Sequence, residues 1–191
     1  MRLWLVRHAR VQLAPGLCYG ASDVPADPAH TQAVAATLAA LLPPRAPLWV
    51  SGLGRAQQLA AAVCAQRPDL SAPTVDLRLN EMNFGQWELQ AWNAIPRAAF
   101  DGWMADFAHH RFGGLESTQQ VIDRVAAALA DTTAAVQETG VSDAVWICHA
   151  GVIRAVSYLA NHTNHGTPTI EGAHQWPQQA PDPGGCIQIV F

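Results

Sequence analysis

Three short apolar runs, each followed by a segment of helical character, constrain the fold of this chain more than any other feature of its sequence. The runs are residues 3–6, 48–50 and 144–148, and their length and their β-branched or aromatic residues are typical of fully buried strands. Alternation of strands with helices predicts a mostly parallel sheet that helices cover on both faces. We therefore expect a three-layer α/β/α fold.

The helix-like segments are residues 31–42, 55–66, 118–137 and 151–160. The third follows Ser117, with Gln120 three residues further on, and this is the spacing of a capping box. Its apolar residues recur on one helical face. Residues 74–77 and 186–191 predict two further strands, of which the last is a candidate edge strand.

Two stretches interrupt the alternation. Residues 84–112 hold seven of the fourteen aromatic side chains, which predicts a small helical cap inserted into the domain. Residues 161–185 are rich in Pro, Gly, His and Gln and are too long for an ordinary connection, so we expect either a wrapped cover or a mobile lid. The length of the chain predicts that residues 1–191 form a single domain.

The charge and the cysteines exclude several classes of protein. The net charge is −4 and every basic residue is an arginine, which disfavours a nucleic-acid-binding surface. The four cysteines lie far apart and form no Cys-x-x-Cys pair, as expected of reduced thiols in a cytoplasmic protein. The apolar run at residues 3–6 is too short for the core of a signal peptide, and no apolar run reaches the roughly 18 residues of a membrane span, so we expect neither secretion nor membrane insertion.

Residues suited to binding an oxyanion follow each of the three buried strands. Arg7 and His8 follow the first, Ser51 and Arg55 follow the second, and a turn that starts at His149 follows the third. Because ligands of open parallel sheets bind outside the carboxyl ends of the strands, we expect these side chains to converge. Two guanidinium groups, two imidazoles and a helix N-terminus predict a phosphate pocket.

These residue types supply different parts of a phosphoryl transfer. Arginine donates paired hydrogen bonds to phosphate oxygens and keeps its charge, whereas a neutral imidazole can attack phosphorus. The spacing alone leaves open whether His8 or His149 is the nucleophile. The leaving oxygen needs a proton, which a carboxylic acid among apolar neighbours can supply. Glu81, close to Leu79 and Met82, is the best-placed acid.

The chain resembles the histidine phosphatase superfamily, the phosphoglycerate-mutase-like phosphatases, in four short sequence motifs, which we call blocks. The family's opening Arg-His-Gly is similar to Arg7-His8-Ala9, and its Ser-x-x-x-Arg-Ala block is similar to residues 51–56. Its Glu-x-x-Phe-Gly-x-Trp-Glu block corresponds to residues 81–88, and its His-x-Gly turn to residues 149–151. Four blocks in the same order along nearly the whole chain make this a specific signal.

The resemblance implies the roles of the site residues. His8 would be the nucleophile that becomes phosphohistidine, while Arg7, Arg55 and His149 would hold the phosphoryl oxygens. Glu81 would protonate the leaving group and then activate the water that hydrolyses the phosphoenzyme. The implied enzyme is a phosphoric monoester hydrolase that needs no metal and no other cofactor, because the arginines supply the positive charge.

Two loops are similar to those of the alpha-ribazole phosphatases of cobalamin biosynthesis, namely residues 16–25 and residues 113–117 with the Arg124-Val125 pair that follows. The favoured partner is therefore a small-molecule phosphate ester, alpha-ribazole 5′-phosphate, whose flat benzimidazole would lie against the aromatic cap. Ser22 and Trp87 are candidate substrate contacts, and Trp92 and Trp103 are further aromatic candidates.

Departures from the family motifs leave alternatives open. Ala9 stands where glycine is usual, so a turn that needs a positive φ would be strained there, and Arg10-Val11 replace a Glu-Thr pair. One alternative is a catalytically silent module that only binds a phosphorylated ligand. Another is a phosphatase of a different small metabolite, such as a sugar phosphate, or of protein phosphohistidine.

The histidines outside the four blocks do not change this interpretation. His109 and His110 are adjacent, and three more lie in the 161–185 segment, at His162, His165 and His174. None of them has the spacing of a standard set of metal ligands, so we predict no metal site. The sequence does not indicate the oligomeric state.

Overall fold

A five-stranded sheet forms the centre of the fold. In the computed structural model, which describes residues 1–162 and 166–191, the strands are β1 (Arg2–Arg7), β2 (Leu48–Val50), β3 (Thr74–Val75), β4 (Asp143–Cys148) and β5 (Cys186–Val190). Their order across the sheet is β3-β2-β4-β1-β5. The first four strands are parallel, and β5 pairs antiparallel with β1 at the edge. The predicted α/β fold with a mostly parallel sheet is confirmed.

Strands β1 and β4 lie next to each other because both are apolar along nearly their whole length. Residues 3–6 of β1 and 144–148 of β4 are all buried. Their register places Arg7 opposite Cys148, and the His8 N–H donates to the Cys148 carbonyl over 3.0 Å. His8 and His149 therefore leave the sheet at the same level of its carboxyl edge.

Four helices cover the two faces of the sheet. Helices α1 (Pro28–Leu41) and α2 (Gly54–Gln66) contact each other on one face, and α4 (Thr118–Thr139) and α5 (Ala150–Ala160) contact each other on the opposite face. Alternate residues of β1 belong to different apolar clusters, with Leu3 and Leu5 on the α4 and α5 side and Trp4 and Val6 on the other. This alternation produces the three layers.

Capping residues set where two of these helices begin. Helix α1 begins at Pro28, three residues before the predicted start, because the Asp27 side chain accepts from the His30 N–H over 2.8 Å. Helix α4 begins at the predicted capping box, in which the side chains of Ser117 and Gln120 each accept from the other residue's backbone N–H.

The segment predicted as a helical cap, residues 84–112, contains helix α3 (Arg97–Ala105) and two 3₁₀ helices, Gly85–Trp87 and Trp92–Ala94. Its aromatic rings gather around the fully buried Phe112, and the ring of Trp103 stacks on that ring with 4.6 Å between centroids. We call this group the aromatic cluster; it consists of Phe84, Trp87, Trp92, Phe100, Trp103 and Phe112.

The described part of the 161–185 segment packs against the domain. Ile170 is buried in the core beside α4 and α5, and the Gly184 N–H donates to the carbonyls of Arg7 and His8. His165 and its two preceding residues, which the prediction of a cover or lid includes, lie outside the described residues. None of the helices in the described ranges is both long and apolar enough to cross a membrane.

A buried hydrogen bond between the sheet and α4 gives a test of the packing. The Trp146 ring is fully buried, and its indole N–H donates to the Thr132 hydroxyl over 3.1 Å. Thr132→Val keeps the shape but leaves that N–H unpaired, so we expect the free energy of unfolding to fall by about 1–3 kcal/mol in urea denaturation.

The matched control is Thr133→Val on the same helix. The Thr133 hydroxyl donates only to the Leu129 carbonyl one turn earlier, at a half-buried position. We expect this change to alter stability by less than about 0.5 kcal/mol. Equal losses in the two variants would contradict the role assigned to the Trp146 hydrogen bond.

Candidate active site

The carboxyl edge of the sheet brings the predicted phosphate-binding residues together. His8 and His149 follow β1 and β4, and their ring centroids are 5.1 Å apart. Arg7 is the last residue of β1, and Arg55 lies in the first turn of α2. His8, Arg55 and His149 are buried, with 2%, 0% and 0% of their surface exposed. A cavity of about 250 Å³ opens beside them and is lined by Arg7, His8 and Glu81.

The geometry of His8 leaves one ring nitrogen free to act as a nucleophile. Its Nδ1 lies 2.7 Å from the Ala9 carbonyl oxygen, and because a carbonyl only accepts, Nδ1 carries the hydrogen and Nε2 the lone pair. Burial above all, and then the positive charge of Arg55, lower the pKa of His8 to about 3; the Ala9 hydrogen bond opposes this shift, and the charge of Arg7 adds a smaller lowering. The ring is therefore neutral at physiological pH.

Unpaired nitrogen atoms concentrate at this site. Within the described residues, the buried side-chain nitrogens that lack a hydrogen-bond partner are Nε of Arg7, Arg55 and Arg154 and Nδ1 of His149. An unsatisfied buried polar group costs about 1–3 kcal/mol, so a folded chain rarely keeps several of them together. Three belong to the predicted phosphate pocket, and Arg154 lines the adjoining cavity. This arrangement suits an anionic ligand.

Arg55 is held in place by a loop that Glu88 organises. The terminal guanidinium nitrogens of Arg55 donate to the carbonyls of Gly20 and Ser22 over 2.6 and 2.7 Å. The Glu88 carboxylate in turn accepts from the backbone N–H groups of Gly20, Ala21 and Ser22. The loop therefore presents its carbonyls to Arg55 because its N–H groups are bound by a half-buried carboxylate.

Two predicted substrate contacts have other partners here. The Ser22 hydroxyl donates to Glu88 over 2.5 Å, so it stabilises the loop that positions Arg55. The Trp87 ring packs on Phe112 inside the aromatic cluster, with 6.1 Å between ring centroids. Neither residue is among those that line the cavity, whereas Trp92 and Trp103 are. Substrate contact by Ser22 and Trp87 stays a prediction.

Glu81 lies between the cavity and the N-terminus of α5. Its two carboxylate oxygens accept from the backbone N–H groups of Met82 and Gly151, each over 3.0 Å. Its surroundings are thus more polar than the sequence indicated, although Met82 and Phe84 also line this side of the cavity. A β-carbon on Gly151 would lie 2.2 Å from Glu81 Oε1, so the glycine is what permits this close approach.

The rest of the cavity lining is mainly aromatic and apolar. It includes rings of the aromatic cluster and, from the described part of the 161–185 segment, Trp176, while Arg154 of α5 is a further charged member. The aromatic and larger apolar residues are Leu17, Tyr19, Met82, Phe84, Trp92, Trp103, Val121 and Trp176. The Tyr19 ring also lies beside the Arg55 guanidinium, with 5.4 Å between its centroid and the guanidinium carbon. The cavity therefore combines cationic groups, suited to phosphate, with rings suited to a flat apolar group.

The departures from the family motifs do not strain the site. In the described ranges, the non-glycine residues with positive φ are Arg45 and Leu89, so the strain expected if Ala9 had to adopt a positive φ is absent. The Arg10 N–H donates to His30 Nδ1 over 2.9 Å, and Val11 forms an antiparallel bridge with Ala26.

Sequence reasoning missed two residues of the site. Asn80 accepts from both Ser51 and Gly52 behind His149, and nothing in the sequence links it to them. Arg154 follows Gly151 by three residues, a helical spacing that could have placed it beside the pocket. Within the ranges the structure describes, no group of three or more His, Cys, Asp or Glu side chains is placed to hold a metal ion.

Comparisons with known proteins identify a family and similar folds. A profile of the histidine phosphatase superfamily (branch 1) matches residues 3–172. Among solved structures, TTHB049 from Thermus thermophilus is 24% identical with a TM-score of 0.73, covering 100% of this chain and 94% of that chain. A phosphoglycerate mutase from the same organism is 24% identical with a TM-score of 0.69, at coverages of 99% and 92%.

A third structure holds a ligand. It is a complex of a mycobacterial glucosyl-3-phosphoglycerate phosphatase with inorganic phosphate, 26% identical with a TM-score of 0.69, covering 83% of this chain and 78% of that chain. A comparison with curated protein sequences found no significant match.

The contact between Gly151 and Glu81 yields a test of the predicted role of Glu81 as the general acid. Gly151→Ala would displace the carboxylate, and loss of general acid catalysis costs about 10²-fold or more. We expect kcat/KM to fall by about that factor for phenyl phosphate and by less for p-nitrophenyl phosphate, whose better leaving group needs less protonation.

Repeating the Gly151→Ala substitution in a Glu81→Gln protein shows whether its effect on kcat/KM depends on Glu81. In a Glu81→Gln protein, adding Gly151→Ala should lower kcat/KM by less than about threefold. The side chain that the new methyl group displaces can no longer act as an acid. Thermal melting of all four proteins controls for folding. Fully multiplicative losses would mean that Gly151 acts by another route.

Proposed function

The chain belongs to the histidine phosphatase superfamily (branch 1), and on that basis we propose that it is a metal-independent phosphomonoesterase that works through a phosphohistidine at His8. Membership supports a phosphatase-type function with phosphoryl transfer as the reaction. One observation carries the finer proposal: the neutral His8 ring lies beside unpaired, buried nitrogens of Arg7, Arg55 and His149. A nucleophile and an anion site are thus next to each other.

In the first half-reaction, His8 Nε2 attacks phosphorus while the ester P–O bond breaks. Glu81 gives its proton to the leaving oxygen, so the alcohol departs neutral and the phosphoryl group is held by the new P–N bond. Arg7 and Arg55 offset the negative charge on the equatorial oxygens, which is the largest demand of a phosphoryl-transfer transition state. The His8 hydrogen bond to Ala9 keeps the ring oriented throughout.

In the second half-reaction, Glu81 is a carboxylate and takes a proton from water as the water oxygen attacks phosphorus. The P–N bond breaks, His8 regains its lone pair, and inorganic phosphate leaves. The same carboxylate thereby acts first as acid and then as base. Its two backbone hydrogen bonds to Met82 and Gly151 fix its position for both steps.

The favoured substrate is alpha-ribazole 5′-phosphate. The aromatic lining of the cavity supports this choice, because a flat benzimidazole could lie among Phe84, Trp92 and Trp103 while its phosphate binds the cationic groups. The similar mycobacterial phosphatase, whose structure holds inorganic phosphate, also supports a phosphate-ester ligand. Arg154 favours, as the alternative, another small phosphorylated metabolite with a hydrogen-bond acceptor away from the phosphate.

Trapping the covalent intermediate tests the reaction. With a radiolabelled monoester and excess chelator, the wild-type protein should give acid-labile, base-stable phosphate in a rapid quench. His8→Ala should give no label and lower kcat about 10³-fold or more, because the nucleophile is gone. The control is His109→Ala, at an exposed position, which should label and turn over as the wild type does.

Two results would contradict this proposal. Turnover that stops in chelator and returns with a divalent cation would mean that the chain needs a metal. Tight binding of phosphate with no hydrolysis of any monoester would instead identify the silent binding module that the motif departures left open.

A panel of monoesters tests the substrate class. We expect alpha-ribazole 5′-phosphate to have a higher kcat/KM than phenyl phosphate, ribose 5-phosphate or phosphohistidine peptides. Trp92→Leu should raise KM for the aromatic esters about tenfold and leave ribose 5-phosphate unchanged, because only the aromatic esters contact that ring.

The matched control for this panel is Trp87→Leu. Trp87 belongs to the same aromatic cluster and is similarly half-buried, but it does not line the cavity. It should leave the KM values of all esters within about twofold. Equal effects of the two variants would indicate general loosening of the cluster and contradict a direct contact with Trp92.

A further inference from the structure

A series of hydrogen-bonded polar side chains lies behind His149, and the proposed mechanism does not use it. His149 Nε2 is 2.7 Å from Ser51 Oγ, and Ser51 Oγ is 2.8 Å from Asn80 Oδ1. The Gly52 N–H also donates to Asn80 Oδ1 over 2.8 Å. His149 and Ser51 are both fully buried, so water does not compete for these hydrogen bonds.

The hydrogen-bond partners of Asn80, Ser51 and His149 determine which atom carries each hydrogen. The Gly52 N–H can only donate, so the Asn80 atom that it contacts is the amide oxygen. That oxygen only accepts, and therefore the Ser51 hydroxyl donates to it. Having used its hydrogen, Ser51 Oγ can only accept from His149, and Nε2 of His149 must carry the hydrogen.

This assignment determines the state of the other ring nitrogen. When Nε2 carries the hydrogen, Nδ1 of the neutral ring carries a lone pair. Nδ1 is buried and has no hydrogen-bond partner in the described part of the chain. A lone pair repels a phosphoryl oxygen, so Nδ1 can contact a fully ionised phosphate only if a proton lies between them.

The charged groups around His149 keep this ring neutral while the site is empty. Arg7 and His8 face it from the end of β1, Arg55 from α2 and Arg124 from α4, and Glu81 lies nearby at the start of α5. Burial, followed by Arg55, His8, Arg124 and Arg7, lowers the pKa of His149 well below its usual range. The proton needed at Nδ1 is therefore absent before a ligand arrives.

We propose that Ser51 and Asn80 are positioning residues that hold His149 as the Nε2–H tautomer, so that the site takes up one proton whenever it binds a phosphate dianion. The proton lies between Nδ1 and a phosphoryl oxygen, whether it is counted on the ring or on the ligand. This inference rests on the proposed function in requiring that the site binds phosphate with one phosphoryl oxygen against Nδ1 of His149.

The consequence is a defined pH dependence of binding. Above the second pKa of phosphate, which is about 6–7, nearly all free phosphate is the dianion and each binding event removes one proton from solution. The Kd for inorganic phosphate should then rise about tenfold for each pH unit, for instance from pH 8 to pH 9. If Nδ1 already carried the hydrogen, Kd would not depend on pH in this range.

The tautomer can be measured in the protein alone, without any ligand. Two-bond nitrogen–proton correlation spectra of the ¹⁵N-histidine-labelled protein distinguish the two tautomers of each ring. We expect His149 to show a protonated Nε2 and an unprotonated Nδ1, and His8 to show the reverse. A protonated Nδ1 on neutral His149 would overturn the inference even if the chain proved to have no phosphatase activity.

Calorimetry with inorganic phosphate at pH 8.5, in buffers of different ionisation enthalpy, counts the protons taken up. The wild type should take up about one proton per phosphate bound. Ser51→Ala removes the acceptor for Nε2–H and frees the ring to place its hydrogen on Nδ1. Its uptake should fall toward zero, and its Kd should change less than about threefold between pH 8 and pH 9.

Two further variants separate this effect from its alternatives. Ser51→Thr retains the hydroxyl and should restore an uptake of about one proton, as a merely structural lesion at Ser51 would not. Glu81→Gln removes the other group able to accept a proton near the phosphate, and it should leave the uptake at about one.

The outcomes distinguish the inference from the proposed function. Proton uptake that persists in Ser51→Ala, or that disappears in Glu81→Gln, would overturn the positioning role proposed for Ser51 and Asn80. If the wild type bound no phosphate at any pH, the proposed function would fail, and the tautomer spectrum would still decide the positioning role. If Ser51→Ala did not fold, the spectrum and the pH dependence of wild-type Kd would decide it.

Discussion

The pairing of β1 with β4 is the constraint on which the candidate site depends. Arg7 lies opposite Cys148 at the ends of the two strands, and a histidine follows each of them. The centroids of the two imidazole rings are therefore only 5.1 Å apart. A shift of one residue in this register would carry one imidazole to the other face of the sheet. Leu3 and Leu5 of β1 fill one core cluster while Trp4 and Val6 fill the other, so a slip would place each of these side chains in a packing position occupied by a side chain of another shape.

The burial of these histidines beside two arginines determines the protonation and charge of the site. It also makes the empty site energetically unfavourable, because buried polar groups lack partners there. None of the ion pairs in the described ranges includes Arg7 or Arg55, and the two terminal nitrogens of Arg55 donate to loop carbonyls while its Nε has no partner. The Arg55 guanidinium is therefore oriented without a direct carboxylate partner. Burial is the main cause that keeps His8 and His149 unprotonated, and the arginine charges add to it. The same charges would attract a doubly charged ligand, so they contribute both to the neutral state of the proposed nucleophile and to the proposed affinity for phosphate.

The sequence predicted the parts of this arrangement that depend on local pattern. Buried strands, the capping box at Ser117, and the Arg and His residues at strand ends all follow from spacing and composition. The tertiary hydrogen bonds do not, because they join residues with no common periodicity. Asn80 reaches Ser51 from 29 residues away, and Glu88 reaches Ser22 from 66 residues away. Trp87 was likewise indistinguishable from Trp92 by composition, since only packing decides which ring faces the cavity.

The aromatic rings that line the cavity differ in how closely they are tied to the sheet. Phe84 and Trp103 pack both around Phe112 and against the core cluster that contains β1 and β4 residues, whereas Trp92 packs only in the group around Phe112. A substitution at Trp92 can therefore reshape the cavity with less effect on the strands that align the histidines than a substitution at Phe84 or Trp103. Arg10 and Val11, which replace the family's Glu-Thr pair, contact His30 and Ala26 rather than lining the cavity, so the turn after His8 can change in sequence while His8 and His149 keep their arrangement.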